Sequence, residues 1–247
     1  MRLIKQSHQI LTKLSYESVK RIEEAGRTCY KSEANITDTS AEAFVRMLIN
    51  KGHESVLEHH SLSVRFVTDR GVSHEIVRHR LASFSQESTR YCNYNSGKHG
   101  SQCTFIIPDW AIHIKPDNYD TDWPDDDLQN NIVGSVYDFR GGLPDWFGTS
   151  NLEEDLWFNQ MANSEHAYNL MIQKGLKPQD ARSVLPNSLK TEIVVTANIR
   201  EWRTILKQRT SNAAHPMMRQ LMIPMLKELK SSEIGVLFED IEYGKDK

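Results

Sequence analysis

The sequence predicts one α+β domain, and three observations predict it. Residues 61–68, SLSVRFVT, and residues 190–199, KTEIVVTANI, have the alternation and the β-branched density of strands. Residues 39–52 and 217–230 repeat apolar side chains at helical spacing. Neither an internal repeat nor a linker divides the 247 residues, a length that can bury a proper core in one unit.

In chain order, MRLIK starts as a short strand. Val19, Ile22, Ala25 and Cys29 recur at helical spacing over residues 16–30, with Ser15 placed as the N-cap. Thr39 and Glu42 form a capping-box pair before Phe44, Met47 and Leu48, and Gly52 stops that helix. In residues 61–68, Leu62, Val64 and Phe66 alternate with Ser63 and Arg65, the pattern of a strand with one buried face. Gly71 and Ser73 introduce a helix through His74, Ile76 and Val77, after which residues 78–91 are expected to run on as loop and irregular turn. TFIIP, residues 104–108, is a short strand closed by proline.

Residues 109–155 change character. They are rich in Asp, carry Lys115 and Arg140 as their basic residues, and read as an acidic surface insertion with some helix around residues 128–139. A long helix is expected over residues 152–174, ended by Gly175. Pro178 opens a short helix containing Arg182, and Pro186 ends it. REWRTILKQR resumes helical character and brings Arg200, Arg203 and Arg209 together, and the last helix stacks Met218, Leu221, Met225 and Leu229.

The formal charge of -3 counts against a broad nucleic-acid face and leaves room for a local basic pocket. Cys29, Cys92 and Cys103 are odd in number and widely spaced, as in a protein with reduced thiols. MRLIKQSHQI lacks the apolar core of a signal peptide, and no apolar run reaches membrane-spanning length. A soluble protein is expected, cytoplasmic whether of a cell or of an infected host.

Residues 78–91, RHRLASFSQESTRY, are the chemically distinctive stretch. Charged side chains are poor core material unless paired. Arg78, His79 and Arg80 present planar donors, and Ser83, Ser85, Gln86 and Ser88 add short neutral ones. That mixture suits a ligand carrying phosphate and an amide-like ring edge. A metal is not expected, because His53-Glu54 and His74-Glu75 lack the second histidine of H-E-x-x-H. Ser88 and Cys92 lie near His79 in sequence, but no G-x-S-x-G elbow makes either a nucleophile, and Cys92 reads as an ordinary small thiol. Neither glycine-rich phosphate loop is present, so arginines must do the phosphate work.

Arg78-His79-Arg80, then seven residues, then Ser88, resembles the signature of flavin-dependent thymidylate synthases. GHESVLEHH at residues 52–60, ARSVLP at 181–186 and NIREWRTILKQR at 198–209 add three more blocks in the family's order. The resemblance implies an α+β domain with a twisted, mainly antiparallel sheet flanked by helices, assembled as a homotetramer with active sites between subunits. It implies that FAD is held by Ser55, Arg78, His79, Arg80 and Gln86, with Asn198, Arg200 and Thr204 from neighbouring subunits. It implies a dUMP site of Glu75, Arg78, Gln86, Glu87, Ser88, Thr89, Arg90, Arg182 and Arg209, with folate near His53. The implied activity makes dTMP from dUMP, using methylenetetrahydrofolate as carbon donor and FAD reduced by NADPH as hydride source. Arg209 would be the catalytic residue, stabilising charge on the uracil ring, and no metal, nucleic acid or membrane would take part.

This chain departs from the family pattern at Glu75, where several relatives carry glutamine, and at Thr204, where others carry asparagine or histidine. His215 and Met217 replace a usual glutamine and glutamate. Two other readings are weaker. A flavoenzyme methylating uracil in RNA sits badly with the net negative charge and the lack of a stacked-aromatic pattern. A catalytically idle nucleotide-binding protein sits badly with the intact 78–91 block and Arg209.

Overall fold

The structure, a computed structural model, describes residues 1–96, 102–114 and 152–244. The expected helix around residues 128–139, and residues 115–151 of the acidic stretch, lie outside the described residues. The strands are β1 (Arg2–Ile4), β2 (Ser7–Ile10), β3 (Ser61–Asp69), β4 (Ala82–Gln86), β5 (Thr104–Ile106) and β6 (Lys190–Asn198). The α-helices are α1 (Glu17–Thr28), α2 (Ser40–Asn50), α3 (Arg70–Ile76), α4 (Leu152–Gln173), α5 (Pro178–Ala181), α6 (Ile199–Arg209) and α7 (Pro216–Lys230).

Four strands form a sheet in the order β2-β3-β6-β4, and β1 pairs with β5 in a second, parallel one. β2 and β3 are antiparallel, with Ser7 opposite Val67 and Ile10 opposite Val64. β3 and β6 are antiparallel as well. Their contacts advance in opposite directions, from His60 with Ile199, through Ser63 with Thr196, to Arg70 with Asn187. Both strands bury every second residue, as their sequences require.

By contacts the chain divides into two compact units. The first comprises Met1–Gln6, Thr68–Ser73 and Gln86–Thr191. Its core gathers Leu3, Tyr94, Cys103, Phe105, Ile107, Met161, Tyr168 and Leu189. Glu165 ties the start of the chain to that core, pairing with the Met1 ammonium at 2.7 Å and accepting from the Cys103 amide at 2.7 Å. The second unit comprises Ser7–Val67, His74–Ser85 and Glu192–Lys247. There Val64, Phe66, Val195, Trp202, Leu206 and the predicted α7 stack of Met218, Leu221, Met225 and Leu229 are buried. The Trp202 indole donates to the Leu62 carbonyl at 3.0 Å, which settles its one polar atom.

Several local expectations change. Thr39 does not cap α2, because its φ of -122° and ψ of 3° are not the extended conformation a capping hydroxyl needs. Gly52, at φ 71°, does end that helix, and His53 closes it by donating to the Leu48 carbonyl at 2.9 Å. α3 is started by Asp69, whose Oδ1 accepts from the Val72 amide at 2.6 Å, rather than by Gly71 or Ser73. Residues 82–86 are a strand where loop was expected. Ser83 and Ser85 occupy its exposed alternate positions, while Ala82, Phe84 and Gln86 are half-buried.

Candidate functional site

In the second unit, α3 does not stop cleanly. The Arg78 and His79 amides donate to the Glu75 and Ile76 carbonyls, each at 3.2 Å, carrying the helical turn to His79. That turn buries His79 and leaves Arg78 and Arg80 exposed. The guanidinium groups of Arg78 and Arg80 have no partner among the described residues.

His79 meets Arg209, the last residue of α6. Arg209 Nε donates to His79 Nε2 at 2.9 Å, Nη1 to Glu75 Oε2 at 3.0 Å and Nη2 to the Glu75 carbonyl at 3.1 Å. An arginine has N–H groups beyond these, so one hydrogen remains on each of Nη1 and Nη2. Burial, and after it the Arg209 charge, pushes the His79 imidazole down to about 4, so it is neutral near pH 7. Glu201, at the start of α6, faces the other ring nitrogen, with Oε1 3.6 Å from Nδ1. Burial raises the Glu201 carboxyl above its ordinary range. A guanidinium held on three edges with donors to spare is a preorganised anion-stabilising group.

The remaining arginines of α6 go elsewhere, so Arg200, Arg203 and Arg209 are not brought together. They lie three and nine residues apart, and nine residues is about two and a half turns, which places Arg200 and Arg209 on opposite faces. Arg200 pairs with Glu58 at 2.6 Å. Arg203 is fully buried and reaches Asp240 through both Nη atoms at 2.7 Å, the Leu237 carbonyl, and Glu54 at 3.3 Å. The Thr204 hydroxyl donates to the Arg200 carbonyl at 3.2 Å. Asn198 caps α6, accepting from the Glu201 amide at 2.8 Å, and its Nδ2 has no partner among the described residues. Ser55 and His53 are exposed at the turn that includes Glu54–His59.

In the first unit, a second group of the expected residues comes together. Gln86 Nε2 donates to Ser73 Oγ at 2.9 Å and to Thr191 Oγ1 at 3.2 Å. Glu87 accepts from the Tyr94 hydroxyl at 3.0 Å and from Lys190 at 3.1 Å. Burial first, and Glu87 after it, pushes the Tyr94 hydroxyl up. Arg182 Nη1 donates to Thr89 Oγ1 at 3.2 Å, while its Nε is tied to the Gln179 carbonyl at 3.1 Å. Ser88 Oγ accepts from the Arg90 amide at 3.3 Å, which leaves the Ser88 hydroxyl hydrogen available. The Arg90 guanidinium lies 5.4 Å from the centre of the exposed Tyr91 ring. Cys92 is half-buried. No group of three or more His, Cys, Asp or Glu that could hold a metal occurs among the described residues.

Glu201, Lys190 and Tyr94 are members of these groups that the sequence did not single out. A signal existed for Glu201, since Asn198 followed three residues later by an acid marks the first turn of a helix. None existed for Lys190, whose role comes from a contact 103 residues away.

Residues 11–232 match the family described as thymidylate synthase complementing protein. A flavin-dependent thymidylate synthase from Corynebacterium aurimucosum is 31% identical over 228 residues, covering 91% of this chain and 80% of that protein. Another, from Mycobacterium leprae, is 31% identical over 226 residues, covering 90% of this chain and 79% of that one. The crystal structure of thymidylate synthase X from Helicobacter pylori with FAD and dUMP has a TM-score of 0.67 to this fold at 20% identity, covering 96% of this chain and 98% of that chain. At that identity the likeness speaks for the mixed helix-and-sheet fold. The chain belongs to the flavin-dependent thymidylate synthase family.

Proposed function

We propose that this chain makes dTMP from dUMP, with methylenetetrahydrofolate as carbon donor and FAD, reduced by NADPH, as hydride source. The observation that carries the reading is Arg209, fixed by His79 and Glu75 with hydrogens left on Nη1 and Nη2. Those hydrogens stabilise the negative charge that develops on the uracil ring as its N3 ionises, and because the guanidinium is already braced, little reorganisation opposes it. The nucleotide is held by Glu75, Arg78, Gln86, Glu87, Ser88, Thr89, Arg90, Arg182 and Arg209. Ser88 and Arg90 take the phosphate end. No protein nucleophile is needed.

FAD fits the residues present. Arg78 and Arg80 are exposed cations without partners among the described residues, and the Asn198 amide keeps a free donor. Ser55, Arg78, His79, Arg80 and Gln86 hold it, with Asn198, Arg200 and Thr204. When bound, it supplies the redox chemistry between NADPH and the one-carbon unit, and the protein aligns the rings and sets the charge around them. Arg200 and Thr204 lie on the face of α6 away from Arg209, which supports assigning them to a neighbouring copy's site in a homotetramer. The folate sits near His53.

A single functional domain is supported by the family match spanning residues 11–232. The proposed location is the cytoplasm, and no described helix is long and apolar enough to cross a membrane. The test is direct. Incubation with dUMP, methylenetetrahydrofolate, NADPH and FAD should yield dTMP. A folded, flavin-loaded protein that yields none refutes the reading, and turnover on tRNA but not dUMP would replace it with the RNA alternative.

A further inference from the structure

We infer that Glu201 is a positioning residue that fixes the tautomer of His79, and through it the orientation of the Arg209 guanidinium. The inference rests on the proposed role of Arg209 only where it concerns turnover. Its geometry stands apart from that role.

The chain of contacts runs carboxylate, imidazole, guanidinium, carboxylate. Arg209 Nε can only donate, and it lies 2.9 Å from His79 Nε2. Nε2 must therefore present its lone pair. A neutral imidazole carries one proton, so that proton sits on Nδ1. Nδ1 faces Glu201 Oε1 at 3.6 Å, and no other acceptor for it occurs among the described residues. That distance exceeds a hydrogen bond, so the effect of Glu201 is electrostatic, favouring the tautomer whose N–H faces the carboxylate.

Glu201 is otherwise hard to explain. It is 8% exposed and has no lysine or arginine partner among the described residues. A carboxylate so buried is costly unless something offsets it. Its first-turn position in α6, where the helix dipole favours negative charge, supplies part of that offset. The His79 N–H edge is the polar group that faces it. Because Glu201 and Arg209 belong to one helix, eight residues apart, the rigid α6 spaces the two groups that address opposite edges of His79. The opposite tautomer would set an N–H against the Arg209 N–H and break the brace. Glu75, on the turn before His79, faces Arg209 and not the Nδ1 edge.

The test uses the full chain with histidine labelled by nitrogen-15. In the parent protein near neutral pH, the His79 signals should show Nδ1 protonated and Nε2 unprotonated. Glu201→Gln, which keeps shape and an acceptor oxygen, should retain that tautomer. Glu201→Ala should shift the population toward protonated Nε2 and speed exchange of the Arg209 Nε hydrogen. In the flavin-loaded enzyme, Glu201→Ala should lower kcat by about tenfold through the misplaced Arg209 guanidinium, and Glu201→Gln should lower it less. KM for dUMP should move less than kcat in both. An unchanged tautomer in Glu201→Ala overturns the inference, and should that variant fail to fold, a parent protein whose His79 is protonated on Nε2 overturns it as well. A parent protein with the expected tautomer but no dTMP formation sinks the synthase reading and leaves the tautomer assignment intact.

Discussion

Arg209 Nε donates to His79 Nε2 across 2.9 Å, a contact between residues 130 positions apart in sequence. A buried neutral imidazole thus serves as the acceptor that aims a guanidinium. The arrangement is possible only because His79 stays unprotonated, for a protonated ring would present a second donor to a donor.

Replacing Arg209 by alanine should abolish most turnover and spare the fold. Loss of a preorganised charge-stabilising donor lowers kcat by about a hundredfold to a thousandfold. The ion pair it leaves behind is partly exposed, with Arg209 at 20% and Glu75 at 39%, and the buried His79 Nε2 loses its donor, so stability should fall by about 1–3 kcal/mol. Steady-state kinetics beside urea unfolding checks both halves, and unchanged turnover refutes the role.

Stability should depend on pH through His79. Its folded value of about 4 lies below the ordinary 6.5, so between the two the unfolded chain binds a proton that the folded chain does not. The contribution is fully present above pH 6.5 and is lost as pH falls toward 4, amounting to up to about 3 kcal/mol. Glu201, whose carboxyl burial raises, acts in the opposite sense, favouring the folded chain at low pH and losing that contribution as pH rises. Urea unfolding of the parent and of His79→Gln across this range isolates the histidine. The parent's stability should fall more steeply with acid, and parallel curves would contradict the assignment.

Arg203 and Asp240 should show an asymmetric cost. Asp240→Ala leaves a fully buried guanidinium with Glu54 and the Leu237 carbonyl, and should destabilise by about 2–3 kcal/mol once the partial exposure of Asp240 is allowed for. Arg203→Met leaves carboxylates that water can reach, and should cost less. Thermal and urea unfolding of the two variants decides it, and equal or reversed costs would show that burial of the arginine does not dominate.

Ser88→Ala should weaken dUMP binding by roughly 1.5–3 kcal/mol, the range for a hydrogen bond to a charged group, without ending turnover. Calorimetric titration with dUMP alongside rate measurements tests this. A dead enzyme with unchanged affinity would instead make Ser88 a nucleophile.

Much of this fold was legible in the sequence because β3 and α7 carry strong periodicity of their own and β6 a dense run of β-branched residues. Gly52 and Gly175, at φ 71° and 90°, ended their helices as a left-handed glycine does. The misses share a cause. Ser83 and Ser85 are read locally as loop formers, yet β4 is a strand at the edge of the sheet, where small polar residues tolerate exposure. Arg200, Arg203 and Arg209 look alike in sequence, but their angular positions on α6 send one to solvent, one to the core and one to His79. Lys190 acquires its role from a contact 103 residues away, which no local pattern encodes, and the local pattern at Glu201 marks a helix start without revealing His79.

The most direct test is a visible spectrum of the purified protein, followed without oxygen as NADPH and then dUMP with methylenetetrahydrofolate are added. Bound oxidised flavin, bleached by NADPH and restored only when both substrates are present, is the expected result and fixes cofactor, donor and acceptor together. A colourless protein that takes up no added FAD would contradict the synthase assignment and leave the arginine-rich blocks to bind a nucleotide for another purpose.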